Sequence, residues 1–246
     1  MKNSRLIEIF QNLDKKELRE LGKFVRSPFH NQRADVILLF DYLLKFVKSK
    51  NSMSIEKEVV YPFLYKNEMY SEKKIRYTIS FLYQIIKDFL AYQEFTLDKV
   101  NQQIFLLKSL RKKNTERLFE QEFKSAEGNL DKQPLRNQHF HFQRFLLQEE
   151  KYSYALRNSR GANTGLQESS KSLNLFFIAN TLRQETHGLT QKALGRSDFN
   201  SDFSDPIKHY LSKNEELKSP AILVYHALIK ISVSYTHLTL PTICSV

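Results

Sequence analysis

Residues 71–92 read SEKKIRYTISFLYQIIKDFLAY, and this stretch decides the fold. Its apolar side chains recur every three to four positions, which is the period of an α-helix that buries one face. Ser71 stands directly before the pattern, where its side-chain oxygen can accept hydrogen bonds from the first backbone N–H groups of a helix. The sequence therefore predicts a helix from Ser71 to about Tyr92, with a buried stripe comprising Ile75, Ile79, Leu82, Ile85, Ile86 and Phe89.

The same helical period appears on the N-terminal side of this segment. Asp14 is followed three residues later by Glu17, which is the spacing of a capping box. The helix that Asp14 opens is predicted to end at Ser27-Pro28, because a residue before proline avoids the α-helical region. Three more helices are predicted before residue 71: one over residues 6–13, one over residues 33–50 and one from the capping residue Ser54 to an interruption near Pro62.

Helical periodicity also continues on the C-terminal side. The chain has only 6 Gly and 6 Pro in 246 residues, so few positions interrupt it. Asn114 separates two helical stretches, which predicts a helical hairpin that Pro134 closes. Helices are predicted on this side over residues 97–113, 115–132, 137–158, 167–187, 205–212 and 220–231. We therefore predict an all-α protein of stacked helical hairpins, either an α-solenoid or an irregular helical bundle.

The charge of the chain is unevenly distributed. Its formal net charge is +11, and residues 1–160 contain 30 Lys and Arg against 20 Asp and Glu, whereas residues 161–246 contain 8 against 7. A stretch with two glycines, residues 159–165, coincides with this break and predicts a linker. The sequence thus predicts a basic helical domain over residues 1–160 and a second helical segment over residues 161–231.

The end of the chain has a different composition from the rest. No charged residue follows Lys230, and Thr, Ser and β-branched residues dominate from Ser232 to Val246. The string SYTHLTLPTICSV (residues 234–246) resembles translated sequencing-adaptor tails. We expect residues 232–246 to be a non-native or disordered tail, and the second helical segment to be truncated before it.

The sequence also bears on the compartment. Cys244 is the single cysteine, so no internal disulfide can form, which is typical of a reducing compartment. The N-terminus has scattered charges and lacks the continuous apolar run of a signal peptide. No stretch approaches the length of about 20 apolar residues that a membrane span needs. These observations predict a cytoplasmic protein without a membrane span.

Sequence motifs of catalytic, cofactor and metal sites are missing. His139 and His141 are the one close pair of potential metal ligands, and positions i and i+2 diverge on a helix. The adjacent carboxylates Glu149-Glu150 and Glu215-Glu216 diverge for the same reason, which favours solvated surface over acid–base chemistry. Phosphate-binding glycine loops and nucleophile motifs do not occur. We predict a protein that is not an enzyme and that carries no cofactor and no metal.

One basic cluster is the candidate contact site for an anion or a nucleic acid. It lies at the predicted hairpin tip, with Arg136, Arg144, Arg157 and Arg160 further along and with Tyr152 and Tyr154 as residues that could stack on bases. A solvated basic face is the alternative, since no recognisable nucleic-acid-binding motif accompanies the cluster. The cluster comprises Lys108, Arg111, Lys112, Lys113 and Arg117.

Three segments carry a resemblance to known proteins. DKKELRELGKFVRSPFHN (residues 14–31) and the stretch from IRY (75–77) through FLAY (89–92) look like the opening of a group of helical proteins from Bacteroidota. SPAILVYHA (219–227) is similar to the helical-repeat portion of these proteins, which loosely resembles tetratricopeptide hairpins. The resemblance covers most of residues 5–231, implies a longer helical-repeat protein, and brings no catalytic motif and no settled function.

The sequence thus leaves two functions open. The first is a non-enzymatic helical scaffold that binds an unidentified protein partner through helical faces. The second is a nucleic-acid-binding protein that uses the basic face of residues 1–160. An enzyme whose site residues are dispersed along the chain is a third reading, which no motif supports.

Overall fold

The computed structural model of the chain describes residues 4–49, 53–158, 165–196, 199, 201–214 and 219–238. These residues form eleven α-helices and no β-strand, which confirms the predicted all-α class. Within the same residues, no helix is both long and apolar enough to cross a membrane. The helices are α1 (Arg5–Asn12), α2 (Lys15–Arg26), α3 (Ala34–Lys48), α4 (Lys57–Leu64), α5 (Glu72–Leu97), α6 (Lys99–Lys113), α7 (Glu116–Asp131), α8 (Gln138–Asn158), α9 (Leu166–Ala193), α10 (Ser204–Lys213) and α11 (Pro220–Leu238).

The chain forms two compact units, Met1–Leu97 and Asp98–Val246. The first contains α1–α5 and the second contains α6–α11. This division differs from the sequence prediction, which placed a boundary between residues 160 and 161. The helices on either side of that position, α8 and α9, pack against each other inside the second unit. A change in charge density does not reveal which apolar faces are buried together, and the predicted linker residues 159–164 lie outside the described part of the chain.

The first unit is held by the apolar faces of its helices. Leu21 of α2, Leu39 and Phe40 of α3 and Leu82 of α5 are completely buried, and the Phe10 ring of α1 packs on the Phe40 ring with 5.6 Å between centroids. The stripe predicted for residues 71–92 is the buried face of α5, which continues to Leu97. Burying a side chain of this size contributes about 1.5–3 kcal/mol, so these contacts dominate the stability of the unit.

The capping predicted for α2 is present in full. The Asp14 carboxylate accepts hydrogen bonds from the backbone N–H groups of Lys16 at 2.6 Å and Glu17 at 2.8 Å. The Glu17 carboxylate accepts in return from the Asp14 backbone N–H at 2.7 Å. The helix ends at Arg26, directly before Ser27 and Pro28, as the proline rule predicts.

The second unit contains the predicted helical hairpin and a further group of three helices. Helices α6 and α7 are joined at Asn114, whose φ of 55° lies in the left-handed region that Asn adopts more readily than most residues. Leu107 of α6, Phe119 of α7 and Leu147 of α8 belong to one buried cluster. Helices α9, α10 and α11 bury a second one, comprising Ile178, Ala179, Leu182, Ile207, Leu211, Ile222 and Ile229.

Helices α4 and α9 also differ from their predicted bounds. Helix α4 begins at Lys57 with Glu56 at its N-cap, so Ser54 does not cap it, and Pro62 lies inside the helix, which ends at Leu64. Burial of Leu64 explains why packing carries the helix two residues past the proline. Helix α9 continues to Ala193 through Gly188.

The last helix is also longer than predicted. Helix α11 runs from Pro220 to Leu238, whereas the sequence pattern predicts an end at Ile231. Residues 232–238 of the predicted tail are therefore helical, because a helix that has started propagates through residues of modest helix propensity at a cost of a few tenths of a kcal/mol each. Residues 239–246, including Cys244, lie outside the described part of the chain.

Candidate interaction surface

The predicted basic cluster is brought together at one end of the α6–α7 hairpin, with one exception. The Arg111 Nε atom donates a hydrogen bond to Glu150 Oε2 of α8 at 2.8 Å, so this arginine joins α6 to α8. The other side chains are exposed and form no ion pair within the described residues. They define what we call the basic end, which comprises Lys108, Lys112, Lys113 and Arg117.

The position of the basic end has a structural reason of its own. Lys112 and Lys113 lie in the last turn of α6, where carbonyl groups without helical partners make the helix end negative. Cations at such a position stabilise a helix by about 0.3–1 kcal/mol each. Helix stabilisation therefore accounts for part of this cluster without any ligand.

The arginines predicted further along the chain serve the packing of the second unit. Arg136 donates to the backbone carbonyl of Asp131 at 2.8 Å and lies over the Phe140 ring at 4.2 Å from its centroid. Arg144 pairs with the Asp131 carboxylate at 2.5 Å. Arg157 donates at 3.2 Å to the backbone carbonyl of residue 111. These arginines are engaged within the protein, and Arg160 lies outside the described residues.

The two histidines of the predicted pair have different surroundings. His139 is exposed, and its Nε2 lies 3.2 Å from Asp98 Oδ2. His141 is buried, and its Nε2 lies 3.0 Å from Ser219 Oγ. Burial and the nearby charge of Arg144 lower the pKa of His141 to about 4. Among the described residues, no group of three or more His, Cys, Asp or Glu side chains is arranged to hold a metal ion.

The adjacent carboxylates in the middle of α8 are structural. Glu150 pairs with Arg111, and Glu149 accepts a hydrogen bond from the Ser169 hydroxyl of α9. The two side chains thus face different helices, as positions i and i+1 on a helix must. The second predicted pair, Glu215-Glu216, lies outside the described residues.

A different surface, in the first unit, is built around the turn between α2 and α3. Asn31 is buried at the base of this turn. Its Nδ2 donates to the backbone carbonyl of Val25 at 2.9 Å and to that of Arg33 at 3.2 Å, and its Oδ1 accepts from the Arg33 N–H at 2.9 Å. One amide side chain therefore ties the end of α2 to the start of α3, which holds the turn in a single conformation.

Aromatic side chains lie outside this anchored turn. The Phe29 side chain is 90% exposed, although it is one of the largest apolar groups in the chain. Its ring meets the His30 ring edge-on at 5.0 Å, and the His30 ring stacks on Phe24 at 3.7 Å. Phe24 also contacts Tyr92 of α5, with 6.0 Å between ring centroids. The rings form a connected layer from the turn to the outer side of α5.

A partly buried polar network fixes the neighbouring Arg33. Asp35 Oδ2 accepts hydrogen bonds from Arg33 Nη2 at 2.7 Å, from the Tyr65 hydroxyl at 2.6 Å and from the Thr78 hydroxyl at 2.8 Å. Burial alone would raise the pKa of Asp35, but these hydrogen bonds and the Arg33 charge hold it well below its usual range. Burial and the bond to Asp35 raise the pKa of Tyr65 to about 12. The guanidinium of Arg33 is thus held over the Phe81 ring, 5.0 Å from its centroid.

Helix α5 extends this layer along its outer face. Tyr77, Phe81 and Tyr92 are 62%, 39% and 53% exposed, and their spacing of four and eleven residues places them on one side of the helix. This outer stripe is separate from the buried stripe of the same helix. We call the whole patch the aromatic surface, and it comprises Phe29, His30, Arg33, Tyr77, Phe81 and Tyr92.

The aromatic surface was not predicted from the sequence. Tyr77, Phe81 and Tyr92 repeat at helical spacing beside the core stripe of α5, and this second stripe was the available signal. The roles of Asn31 and Asp35 had no sequence signal, because their partners lie on other helices or on backbone atoms that only folding brings together.

No protein-family model matches this chain, and neither does any curated protein or solved structure. The resemblance to helical-repeat proteins of Bacteroidota therefore stays a prediction, and function is argued from the arrangement of the chain's own residues.

Proposed function

We propose that this protein is a non-enzymatic helical scaffold that binds a partner protein through the aromatic surface. The observation that carries the proposal is that Phe29 is almost fully exposed on a turn that the buried Asn31 side chain anchors. An exposed aromatic ring costs solvation free energy in the isolated protein. A partner that covers the ring recovers that free energy by removing apolar area from water.

The composition of the aromatic surface supports this proposal. Tyr and Arg are enriched among the residues that contribute most to protein–protein binding, and aromatic residues in general are enriched at interfaces. Hydrogen bonds to Asp35 hold Arg33 in place, and the turn that carries Phe29 is anchored by Asn31, before any partner arrives. Binding to such a surface orders few side chains, so less conformational entropy opposes it.

The partner that fits best is an amphipathic helix. Tyr77, Phe81 and Tyr92 follow a helical repeat on the outer side of α5, and the exposed Gln84 and Asp88 lie between Phe81 and Tyr92. A second helix can pack along this side with apolar side chains against the rings and polar ones near Gln84 and Asp88. The net charge of +11 favours encounter with a partner whose polar face is acidic.

Selection from a random peptide display library on the immobilised chain tests this proposal. We expect the enriched peptides to share apolar side chains at helical spacing. The double variant Phe29→Ala/Tyr77→Ala should bind these peptides at least about tenfold more weakly, since truncating two contact residues costs about 1.4 kcal/mol or more. Fluorescence anisotropy with labelled copies of the selected peptides measures the change.

A matched control removes exposed apolar side chains elsewhere. Leu156 and Leu173 are 55% and 43% exposed and lie in the second unit. The variant Leu156→Ala/Leu173→Ala should bind the peptides as the unaltered chain does. Peptides that bind both double variants equally well, or a selection without enrichment, would contradict the proposal.

The repeat type and the compartment are part of the same proposal. The hairpin of α6 and α7 and the packing of α8 on α9 support a tetratricopeptide-like stacking of helical pairs. The single cysteine supports a reducing compartment such as the cytoplasm.

A second candidate function is nucleic-acid binding at the basic end. The observation that favours it is that Lys108, Lys112, Lys113 and Arg117 are all exposed, near one another at one hairpin end, and without an acidic partner within the described residues. Phosphate groups are recognised by cations that are available in this way.

Electrophoretic mobility shift at low salt tests this second function. If this function holds, Lys108→Glu/Lys112→Glu should weaken binding of single-stranded DNA about tenfold. The slope of log K against log salt concentration should also become shallower, by about 0.7 for each phosphate contact that is lost. Lys99→Glu/Lys171→Glu carries the same charge change at exposed positions elsewhere and serves as the control. Arg111 is avoided because its replacement would break the pair with Glu150. Absence of a shift, or equal loss in both variants, rejects this function.

A further inference from the structure

His141 of α8 is a buried titratable group that neither candidate function uses. The residue is 4% exposed. Its Nε2 lies 3.0 Å from the Oγ of Ser219, the residue directly before α11. Its Nδ1 is also buried and has no hydrogen-bond partner in the part of the chain that the structure describes. The ring is therefore enclosed where α8 meets the start of α11, with a hydrogen-bond partner for one of its two nitrogens.

A second hydrogen bond joins the same two helices. The Tyr225 hydroxyl of α11 donates to Gln138 Oε1 of α8 at 3.2 Å. Gln138 and His141 are three residues apart, so they lie on the same side of α8. Ile222 and Ile229 of α11 belong to the buried cluster that α11 shares with α9 and α10. Helix α11 is thus attached to α8 by polar contacts and to α9 by apolar ones.

The surroundings of His141 oppose its protonation. Burial, the charge of Arg144 one turn along α8 and the charge of Arg136 before the helix lower the pKa of His141 from 6.5 to about 4. A protonated ring donates from both nitrogens, and Nδ1 has no acceptor among the described residues. The closed junction therefore accepts the neutral ring and excludes the charged one.

Ionisable groups on the neighbouring elements do not offset this effect. His226 of α11 lies seven residues after Ser219, about 10 Å along the helix axis. Glu215 and Glu216 precede Ser219 and lie outside the described residues, so they are tested by substitution below. The other groups are engaged elsewhere: Asp98 with His139, Asp131 with Arg144, and Arg183 with Asn180.

We propose that His141 is an acid-sensitive latch between α8 and α11, which opens when the ring takes up a proton. A charged ring is stabilised by water once α11 has moved away from α8, whereas the closed junction offers it neither water nor a counter-charge. The proton comes from solvent and returns to it when the pH rises, so opening is reversible. Detachment of α11 exposes Ile222 and Ile229, which the closed state buries, so acid uncovers apolar surface on this unit.

Amide hydrogen exchange of the full chain, followed by mass spectrometry, tests this proposal. Because the released ring titrates near 6.5 and the docked ring near 4, opening should become about twentyfold more favourable between about pH 7 and about pH 5. Protection of the α11 amides, corrected for the intrinsic exchange rate, should fall at least about tenfold, and that of α5 in the first unit less than about threefold. Protection of α11 that does not depend on pH, or an equal loss in α5, overturns the proposal.

The amides of α7 show whether the opening is local. Detachment of α11 alone costs less free energy than unfolding of the whole second unit, so α11 should be less protected than α7 at the lower pH. Equal protection of the two helices at both pH values would show that the unit opens as a whole, and this result overturns the latch.

Substitutions identify the responsive group. His141→Gln keeps a polar side chain that cannot become charged, so the loss of α11 protection on acidification should shrink to less than about threefold. The full response should remain in His139→Gln, on the exposed side of α8, in His226→Gln, and in Glu215→Gln/Glu216→Gln. A full response in His141→Gln, or an equal reduction in any of these controls, overturns the assignment to His141.

A titration of the unaltered chain does not depend on how well any variant folds. The ring C–H signal of His141 in the NMR spectrum should stay constant in chemical shift from about pH 7.5 down to about pH 5.5, because the docked ring remains neutral there. A His141 signal that titrates near its ordinary pKa of 6.5 while α11 is protected overturns the proposal.

Discussion

Replacing Asp35 by Ala should lower the free energy of unfolding by about 2–4 kcal/mol, because it leaves a half-buried guanidinium and two hydroxyl groups without their shared acceptor. Arg33, Tyr65 and Thr78 all donate to this one carboxylate. Removing the carboxylate costs more than the network itself contributes, since Tyr65 and Thr78 stay buried with fewer hydrogen bonds and Arg33 loses its counter-charge. Urea denaturation followed by circular dichroism measures the loss.

Asp41→Ala is the matched control for this prediction. Asp41 lies on the same helix and pairs with Arg26, but both side chains are partly exposed to solvent. An exposed pair of this kind contributes about 0–1 kcal/mol. If Asp35→Ala costs no more than Asp41→Ala, the polar network does not stabilise the first unit.

The same carboxylate gives a pH dependence with a definite sign. The pKa of Asp35 is lowered in the folded protein from 3.8, its ordinary value. Its contribution is therefore complete well above pH 3.8 and is lost as the pH falls below 3.8 toward the lowered pKa. The stability difference between the unaltered chain and Asp35→Ala should narrow between about pH 6 and about pH 3. A difference that stays constant or widens over this range would contradict the assignment.

Replacing Asn31 by Ala should lower the free energy of unfolding by about 2–4 kcal/mol, because the side chain is buried and satisfies three backbone groups. The alanine variant leaves the carbonyl of Val25 and both backbone polar groups of Arg33 without this partner. The turn then becomes mobile, so peptides selected on the aromatic surface should also bind more weakly although no contact residue has changed. Urea denaturation and peptide anisotropy measure the two effects.

Asn12→Ala is the control for this second prediction. The Asn12 side chain also donates to a backbone carbonyl, that of Glu8 at 2.9 Å, but from an exposed position where water replaces it. We expect Asn12→Ala to lower the free energy of unfolding by less than about 1 kcal/mol and to leave peptide binding unchanged. A loss in Asn31→Ala that only equals this control would show that the turn does not depend on Asn31.

Local signals in the sequence determined the helical class and several helix ends. The Asp14–Glu17 capping box and the stop before Pro28 involve residues at most four apart, so their chemistry is complete within one turn of helix. Asn114 could be placed at a hairpin turn for the same reason. Residues that are close together in the sequence form these features, so the sequence alone predicts them.

The candidate sites were less accessible to sequence reasoning. Arg111 belongs to the predicted basic cluster, but its partner Glu150 lies 39 residues away on another helix. Phe29 and Leu21 are both apolar residues of the same region, and one is 90% exposed while the other is completely buried. Composition and spacing do not distinguish these two residues. Their exposure depends on which helices pack over them, and the sequence does not show this directly.

Helical periodicity by itself therefore determined that this chain is all α, and it marked the inner stripe of α5. Only the tertiary structure decided that a second, outer stripe of α5 stays uncovered, that Arg111 is tied to α8, and that the buried Asn31 anchors the turn on which Phe29 is exposed. The physical reason is the separation of the interacting groups along the sequence. The hydrogen bonds of a helix join groups within four residues of one another, whereas a surface is formed by side chains that are distant in the sequence and meet only after folding.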